Sequence, residues 1–115
     1  MHRVELKIPS DPQFLQAVRL TTASLANKVG FDVDDVDDLK VIISEIVTYA
    51  IPINEEILIK FDLFEDRIKM TIELEKLSYD FDKYENEAIL KKQILLSLAD
   101  EIEIDEAKAV IVKYK

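Results

Sequence analysis

Val4, Leu6 and Ile8 alternate with Glu5 and Lys7 up to Pro9, a period of two that predicts a half-buried strand closed by proline. Ser10-Asp11-Pro12 follows, with a capping side chain and a proline suited to a first helical turn. Phe14, Val18, Thr21, Leu25 and Val29 then recur at steps of three and four, so the spacing predicts a helix with one apolar stripe running to Gly30. Gly30 is the only glycine in the chain. Its place after the last periodic residue predicts the left-handed conformation of a helix C-cap, which other residues adopt at a cost of about 1 kcal/mol.

A second helix is predicted to begin within Asp32-Val33-Asp34-Asp35, where carboxylates cap free backbone N–H groups and complement the positive end of the helix dipole. Val36, Leu39, Ile43, Ile46 and Ala50 continue it on one face, and Pro52 stops it. Ile57, Ile59, Phe61 and Leu63 alternate with polar residues, Glu65-Asp66 supplies a turn, and Ile68, Met70, Ile72 and Leu74 alternate again, which predicts a hairpin. Ser78 to Lys83 is a polar connector. Ala88, Ile89, Ile94, Leu95 and Leu98 suggest a third helix ending near Asp100; Ile102 and Ile104, a turn at Asp105-Glu106 and a strand from Ala107 to Tyr114 make a second hairpin. The predicted order is β-α-α-β-β-α-β-β. An α+β two-layer sandwich, with helices on one face of a mixed, mostly antiparallel sheet, buries both the helical stripes and the alternating strand faces.

At 115 residues the expectation is one domain over 1–115. Hydrophobic residues make up 49% of the chain, enough for a core. Net charge is −9, from 24 acidic and 15 basic side chains. This acidity repels a phosphate backbone, so nucleic acid is not expected as a partner and a basic protein surface is. With no cysteine, disulfides, thiolate nucleophiles and Cys-ligated metals are excluded. The first residues lack the apolar core of a signal peptide and no run approaches the roughly 20 residues of a membrane span, so a cytoplasmic protein without membrane attachment is expected.

Beyond periodicity, several stretches stand in a telling order: Ile8-Pro9-Ser10-Asp11-Pro12, Val18-Arg19-Leu20-Thr21, Asp35-Val36-Asp37-Asp38-Leu39-Lys40-Val41, Ser44-Glu45, Phe64-Glu65-Asp66-Arg67-Ile68 and Ser78-Tyr79-Asp80-Phe81-Asp82. Together they resemble the anti-sigma-factor serine kinases of the RsbW/SpoIIAB type, within the GHKL (histidine-kinase-like) ATPase superfamily. The resemblance implies the histidine-kinase-like ATPase fold, a sigma factor or an anti-sigma-factor antagonist as partner, a homodimer, and a magnesium-ATP site.

That implied site keeps the family's glutamate but departs from the family pattern at four other features. The family's helix carries a glutamate base followed four residues later by a magnesium-binding asparagine; here Glu45 is present and Tyr49 stands at the asparagine position. A neutral phenol is a poor ligand for a hard cation that favours carboxylate, carbonyl and water oxygens. The family's adenine-binding aspartate and the glycine two residues after it correspond to Leu74 and Lys76. The glycine-rich phosphate segment corresponds to Ala88-Ile89-Leu90-Lys91, and the connector from Asp82 to Ala88 is short for an ATP lid. The resemblance therefore implies a vestigial ATP site at Glu45, Tyr49, Leu74 and Lys76, with no catalytic residue, no metal and no cofactor expected. Leu74, Leu77 and Tyr49 are placed to line an apolar cavity instead.

Other readings stay open at this stage. The acidic run Asp32, Asp34, Asp35, Asp37, Asp38 lacks the spacing of a calcium loop and suits helix capping and a solvated face. His2, the lone histidine, supports neither a triad nor a metal site. Arg19, Thr22 and Leu15 on the first helix match the region that the family uses for sigma-factor binding and dimerisation, with a solvated helix charge as the alternative for Arg19. Three functions compete: a protein-binding regulator without phosphoryl transfer, an ATP-dependent serine kinase with a divergent site, and a dimeric adaptor for a competent kinase of the same fold.

Overall fold

The computed structural model describes residues 1–74, 95, 97–105 and 107–115. Its elements are β1 (His2–Pro9), α1 (Leu15–Val29), α2 (Val33–Ala50), β2 (Glu56–Leu63), β3 (Arg67–Glu73), β4 (Glu101–Ile104) and β5 (Lys108–Tyr114), with short 3₁₀ turns at Pro12–Phe14 and Ile51–Ile53. The strands form one sheet in the order β1-β2-β3-β5-β4. Every pairing among the described residues is antiparallel, so the expected mixed sheet is corrected to an antiparallel one. Of the expected third helix, Leu95, Ser97 and Leu98 are helical, and the remainder lies outside the described residues.

Local chemistry sets the ends of both helices. The Asp11 carboxylate accepts from the Gln13 N–H at 3.0 Å and Pro12 opens the first turn, but that turn is 3₁₀ and α1 proper starts at Leu15. Gly30 adopts φ 103°, and its N–H reaches the carbonyls of Ala26 and Asn27. The left-handed cap expected of the only glycine is therefore present. At the start of α2 the Asp32 carboxylate accepts from the Asp35 N–H at 2.8 Å, with Asp34 and Asp35 in the first turn. The helix ends at Ala50, and Pro52 sits in the 3₁₀ turn beyond it.

The hydrophobic core lies between the two helices and one face of the sheet. Ile57, Ile59, Phe61 and Leu63 of β2, with Ile68, Met70 and Ile72 of β3 and Leu74 just beyond, are buried on the helix side. They meet Val36, Leu39, Ile42, Ile43, Ile46, Val47 and Ala50 of α2, a broader stripe than the spacing predicts. On α1 the buried line is Val18, Thr22 and Ala26, whereas Phe14, Thr21, Leu25 and Val29 are only half-buried. The predicted stripe is thus rotated by one residue. Small side chains at Thr22 and Ala26 sit in the contact and the larger residues flank it, as close helix packing favours. Thr22 resolves its hydroxyl by donating to the Val18 carbonyl at 2.8 Å.

Candidate functional site

Glu45 and Tyr49 lie one turn apart on α2, both half-buried, with a rise of about 6 Å between them along the helix. Their neighbours at 42, 43, 46, 47 and 50 are buried against the sheet, so the 45/49 line runs along the edge of the buried stripe, where a helix can present side chains to a cleft. Leu74 follows the last residue of β3. It is 7% exposed and belongs to the core, and its backbone N–H donates to the Ala107 carbonyl at 2.9 Å. The position expected to offer a carboxylate to adenine is therefore an apolar side chain continuing the inward series Ile68, Met70, Ile72. Lys76, Leu77 and the segment 82–91 lie outside the described residues.

The three expected partner-binding residues separate. Thr22 is fully buried between the helices, which removes it from any contact surface. Leu15 and Arg19 are both half-buried; Leu15 packs against the core with part of its surface left accessible. Arg19 is not a freely solvated charge: its Nε donates to Ser44 Oγ at 2.7 Å, and the Ser44 hydroxyl donates in turn to the Lys40 carbonyl at 2.6 Å. The residue preceding Glu45 thus anchors an arginine from the neighbouring helix, holding its guanidinium at a defined place beside α2. Leu20, next to Arg19, exposes 59% of its surface. No sequence pattern could flag the Arg19–Ser44 contact, since the two residues are 25 apart and neither lies on an apolar stripe.

Two further ionic arrangements went unforeseen. Arg3 on β1 faces Asp62 on β2; its Nε donates to Oδ1 at 2.6 Å and its Nη2 to Oδ2 at 3.0 Å. This two-pronged bond holds the Asp62 carboxyl below the usual carboxylate range despite burial that opposes ionisation. Lys113 continues the inward series Ala109, Ile111 on β5 and is buried. Its Nζ donates to the Leu98 carbonyl at 2.6 Å and lies 3.6 Å from carboxylate oxygens of Asp35 and Asp38. Part of the acidic run at the start of α2 therefore faces a buried ammonium. Among the described residues, no group of three His, Cys, Asp or Glu side chains is placed to hold a metal ion, and no helix is long and apolar enough to cross a membrane.

Among the described residues, two long helices packed over one face of a five-stranded antiparallel sheet fit the histidine-kinase-like ATPase class of α+β domain. The solved RsbU and RsbW domains of a Mycobacterium tuberculosis protein superpose with a TM-score of 0.76, covering 98% of this chain and 32% of that one, at 13% identity. No family model matches the chain. Curated sequences do: the serine-protein kinase RsbW of Bacillus subtilis is 35% identical over 86 residues, spanning 70% of this chain and 54% of that protein. The serine-protein kinase RsbW of Oceanobacillus iheyensis is 37% identical over 90 residues, 73% of this chain and 57% of that protein. The chain belongs to the RsbW-type family of anti-sigma-factor serine kinases, and it spans about half the length of the curated relatives it matches.

Proposed function

We propose that this chain is a protein-binding regulator on the RsbW scaffold that captures a sigma factor or an anti-sigma-factor antagonist and has given up nucleotide binding and phosphoryl transfer. The observation that carries this reading is the use of its only glycine. Gly30 caps α1 at φ 103°, so none of these 115 residues leaves a second glycine to let bare backbone close on phosphates. The other positions agree. Leu74 presents carbon where adenine needs an acceptor, and Tyr49 presents a neutral phenol where magnesium needs a hard oxygen ligand. The residues do not fit a magnesium-nucleotide, and Glu45 has no reaction to serve as base.

The outer side of α1 is the surface we assign to the partner, with Arg19 and Leu15 as its contacts. The Ser44 bond pre-orients the Arg19 guanidinium, which reduces the side-chain entropy lost when a carboxylate or carbonyl of the partner engages it. The excess of acidic side chains favours encounter with a partner whose docking segment is basic. Action in the cytoplasm and as a homodimer completes the reading.

Calorimetric titration with magnesium-ATP and magnesium-ADP tests it, together with thermal unfolding. Ligand at a hundredfold its dissociation constant would add about 2.7 kcal/mol to stability. The expected result is no heat and no shift at millimolar nucleotide. Saturable micromolar binding would overturn the loss of the nucleotide site and restore the kinase reading.

A further inference from the structure

In this acidic chain Arg3, Lys7, Lys40, Lys60, Arg67 and Lys113 each lie within 4.0 Å of a carboxylate oxygen. Among the described residues Lys28 and Lys115 have no carboxylate partner. Both line one open cavity of about 620 Å³ at the C-terminal end of α1. His2 lines it too, set on the helix side of the sheet by its register with Leu63. Val29, Leu63 and Phe64 give the cavity an apolar wall, and Glu65 is the one acidic side chain that borders it. Asp66, next along the turn, is engaged by Arg67 at 3.2 Å. Lys115 is held in place: its backbone N–H donates to the Asp66 carbonyl at 2.8 Å and its Nζ to the Val29 carbonyl at 3.1 Å. The ammonium thereby offsets the negative end of the α1 dipole and keeps two N–H groups for another acceptor.

We propose that this cavity is a binding site for a small organic acid, a single carboxylate carried on an apolar body. The carboxylate accepts from the Lys115 and Lys28 ammonium groups, with the His2 imidazole beside them, and the body lies against Val29, Leu63 and Phe64. The cavity is of the size that takes such a ligand, and an apolar wall with a few convergent polar groups is the usual make-up of a small-molecule site. Charge selects the ligand further. With His2 neutral, Lys28 and Lys115 against Glu65 leave one positive charge, which one carboxylate neutralises. Any terminal charges at Met1 and Lys115 are of opposite sign and leave this balance unchanged. A polyphosphate brings more negative charge than the cavity balances, in a chain whose net charge is already −9. The site is therefore separate from the question of nucleotide binding, and it leaves Leu15 and Arg19 on α1 open to a protein partner.

Titration of the full chain with phenylacetate and with its neutral counterpart phenylacetamide, followed by amide resonances in solution NMR, provides the test. Phenylacetate is expected to move the Val29, Phe64 and Lys115 resonances saturably, with a dissociation constant of about 1 to 10 mM for so small a probe. Phenylacetamide is expected to leave them in place. Lys28→Gln and Lys115→Gln are each expected to weaken phenylacetate binding about two- to fivefold; glutamine at 115 keeps a donor for the Val29 carbonyl. Glu65→Gln removes the one opposing charge and is expected to tighten binding about twofold, a change of opposite sign that no misfolded variant reproduces. Lys69→Gln, outside the cavity, is expected to change nothing. An equal response to the amide, saturable shifts confined to other parts of the chain, lysine variants that bind as the wild type does, or a Glu65→Gln variant that binds no tighter would each overturn the proposal.

Discussion

Arg19 on α1 and Ser44 on α2 are joined by a 2.7 Å hydrogen bond from Nε to Oγ, and the same hydroxyl donates to the Lys40 carbonyl. One serine thus links two helices and fixes the direction of a cation. The two roles are separable by substitution. Ser44→Ala leaves the guanidinium chemically intact but unheld, and is expected to cost about 1 to 2 kcal/mol of stability, measured by urea unfolding. It is expected to weaken partner binding less than Arg19→Ala does. Equal losses of affinity would mean that Arg19 acts only through its position on the helix.

Across β1 and β2, the Arg3–Asp62 pair predicts a specific acid response. The Asp62 carboxyl is held below its ordinary range first by the hydrogen bond from Arg3 and then by its charge. The folded value is lower than the unfolded one, so the pair's contribution is fully present above the unfolded carboxylate pKa of about 3.9 and is lost as pH falls through the folded value. Urea midpoints of wild type and Asp62→Asn are expected to differ by a constant amount from pH 7 to about pH 5, then converge in stronger acid. A gap that stays constant down to the lowest accessible pH would show that folding does not favour the ionised Asp62 carboxyl.

Substitution of Gly30 by alanine is expected to destabilise the fold by about 1 to 2 kcal/mol, the cost of a left-handed conformation in a residue with a Cβ. The nearest side-chain atoms to that Cβ belong to Lys115, at 3.4 and 3.7 Å, and a flexible lysine can yield. The loss is therefore conformational rather than steric. Gly30→Asn, which tolerates the left-handed region better, is expected to recover part of it in thermal unfolding.

At Lys113 the expected result depends on the replacement. Lys113→Ala removes the ammonium and opens space in a buried position, and is expected to cost about 2 to 3 kcal/mol. Lys113→Met keeps most of the volume. Asp35 and Asp38 are about one-third exposed and can be hydrated when the cation is gone, so methionine is expected to cost less than alanine by chemical denaturation. The reverse order would mean that the two carboxylates require the cation more than the core requires the volume.

The boundaries of the elements were legible wherever one residue carries a local physical message. Gly30 signals a left-handed cap, Asp32 a helix start, and the strict alternation from Ile57 to Leu74 a hairpin with one buried face. Legibility failed where position depends on a distant neighbour. The exchange of Thr21 for Thr22 on the buried line of α1 follows from how closely α2 approaches, and spacing alone weighs both equally. Lys113 lay in plain register with Ala109 and Ile111, yet its charge concealed that it points inward; strict counting by two would have revealed it. Glu45, Tyr49 and Leu74 came to notice through the resemblance to the kinase family and not through periodicity. By pattern alone Leu74 is one more core leucine, and the structure buries it as one.

The pairing of β1 with β2 joins His2 to Leu63 and Ile8 to Ile57. Strand β1 therefore has no partner until about fifty residues more have been made, whereas β2 and β3 are joined by a tight turn and can form early. In that interval the outer edge of β2 stands open beside a newly formed apolar face, a template that any extended neighbour could occupy. Arg3 and Asp62 gain their contact only when the correct strand arrives in the correct register. The bond therefore marks the one register in which β1 closes this edge of the sheet.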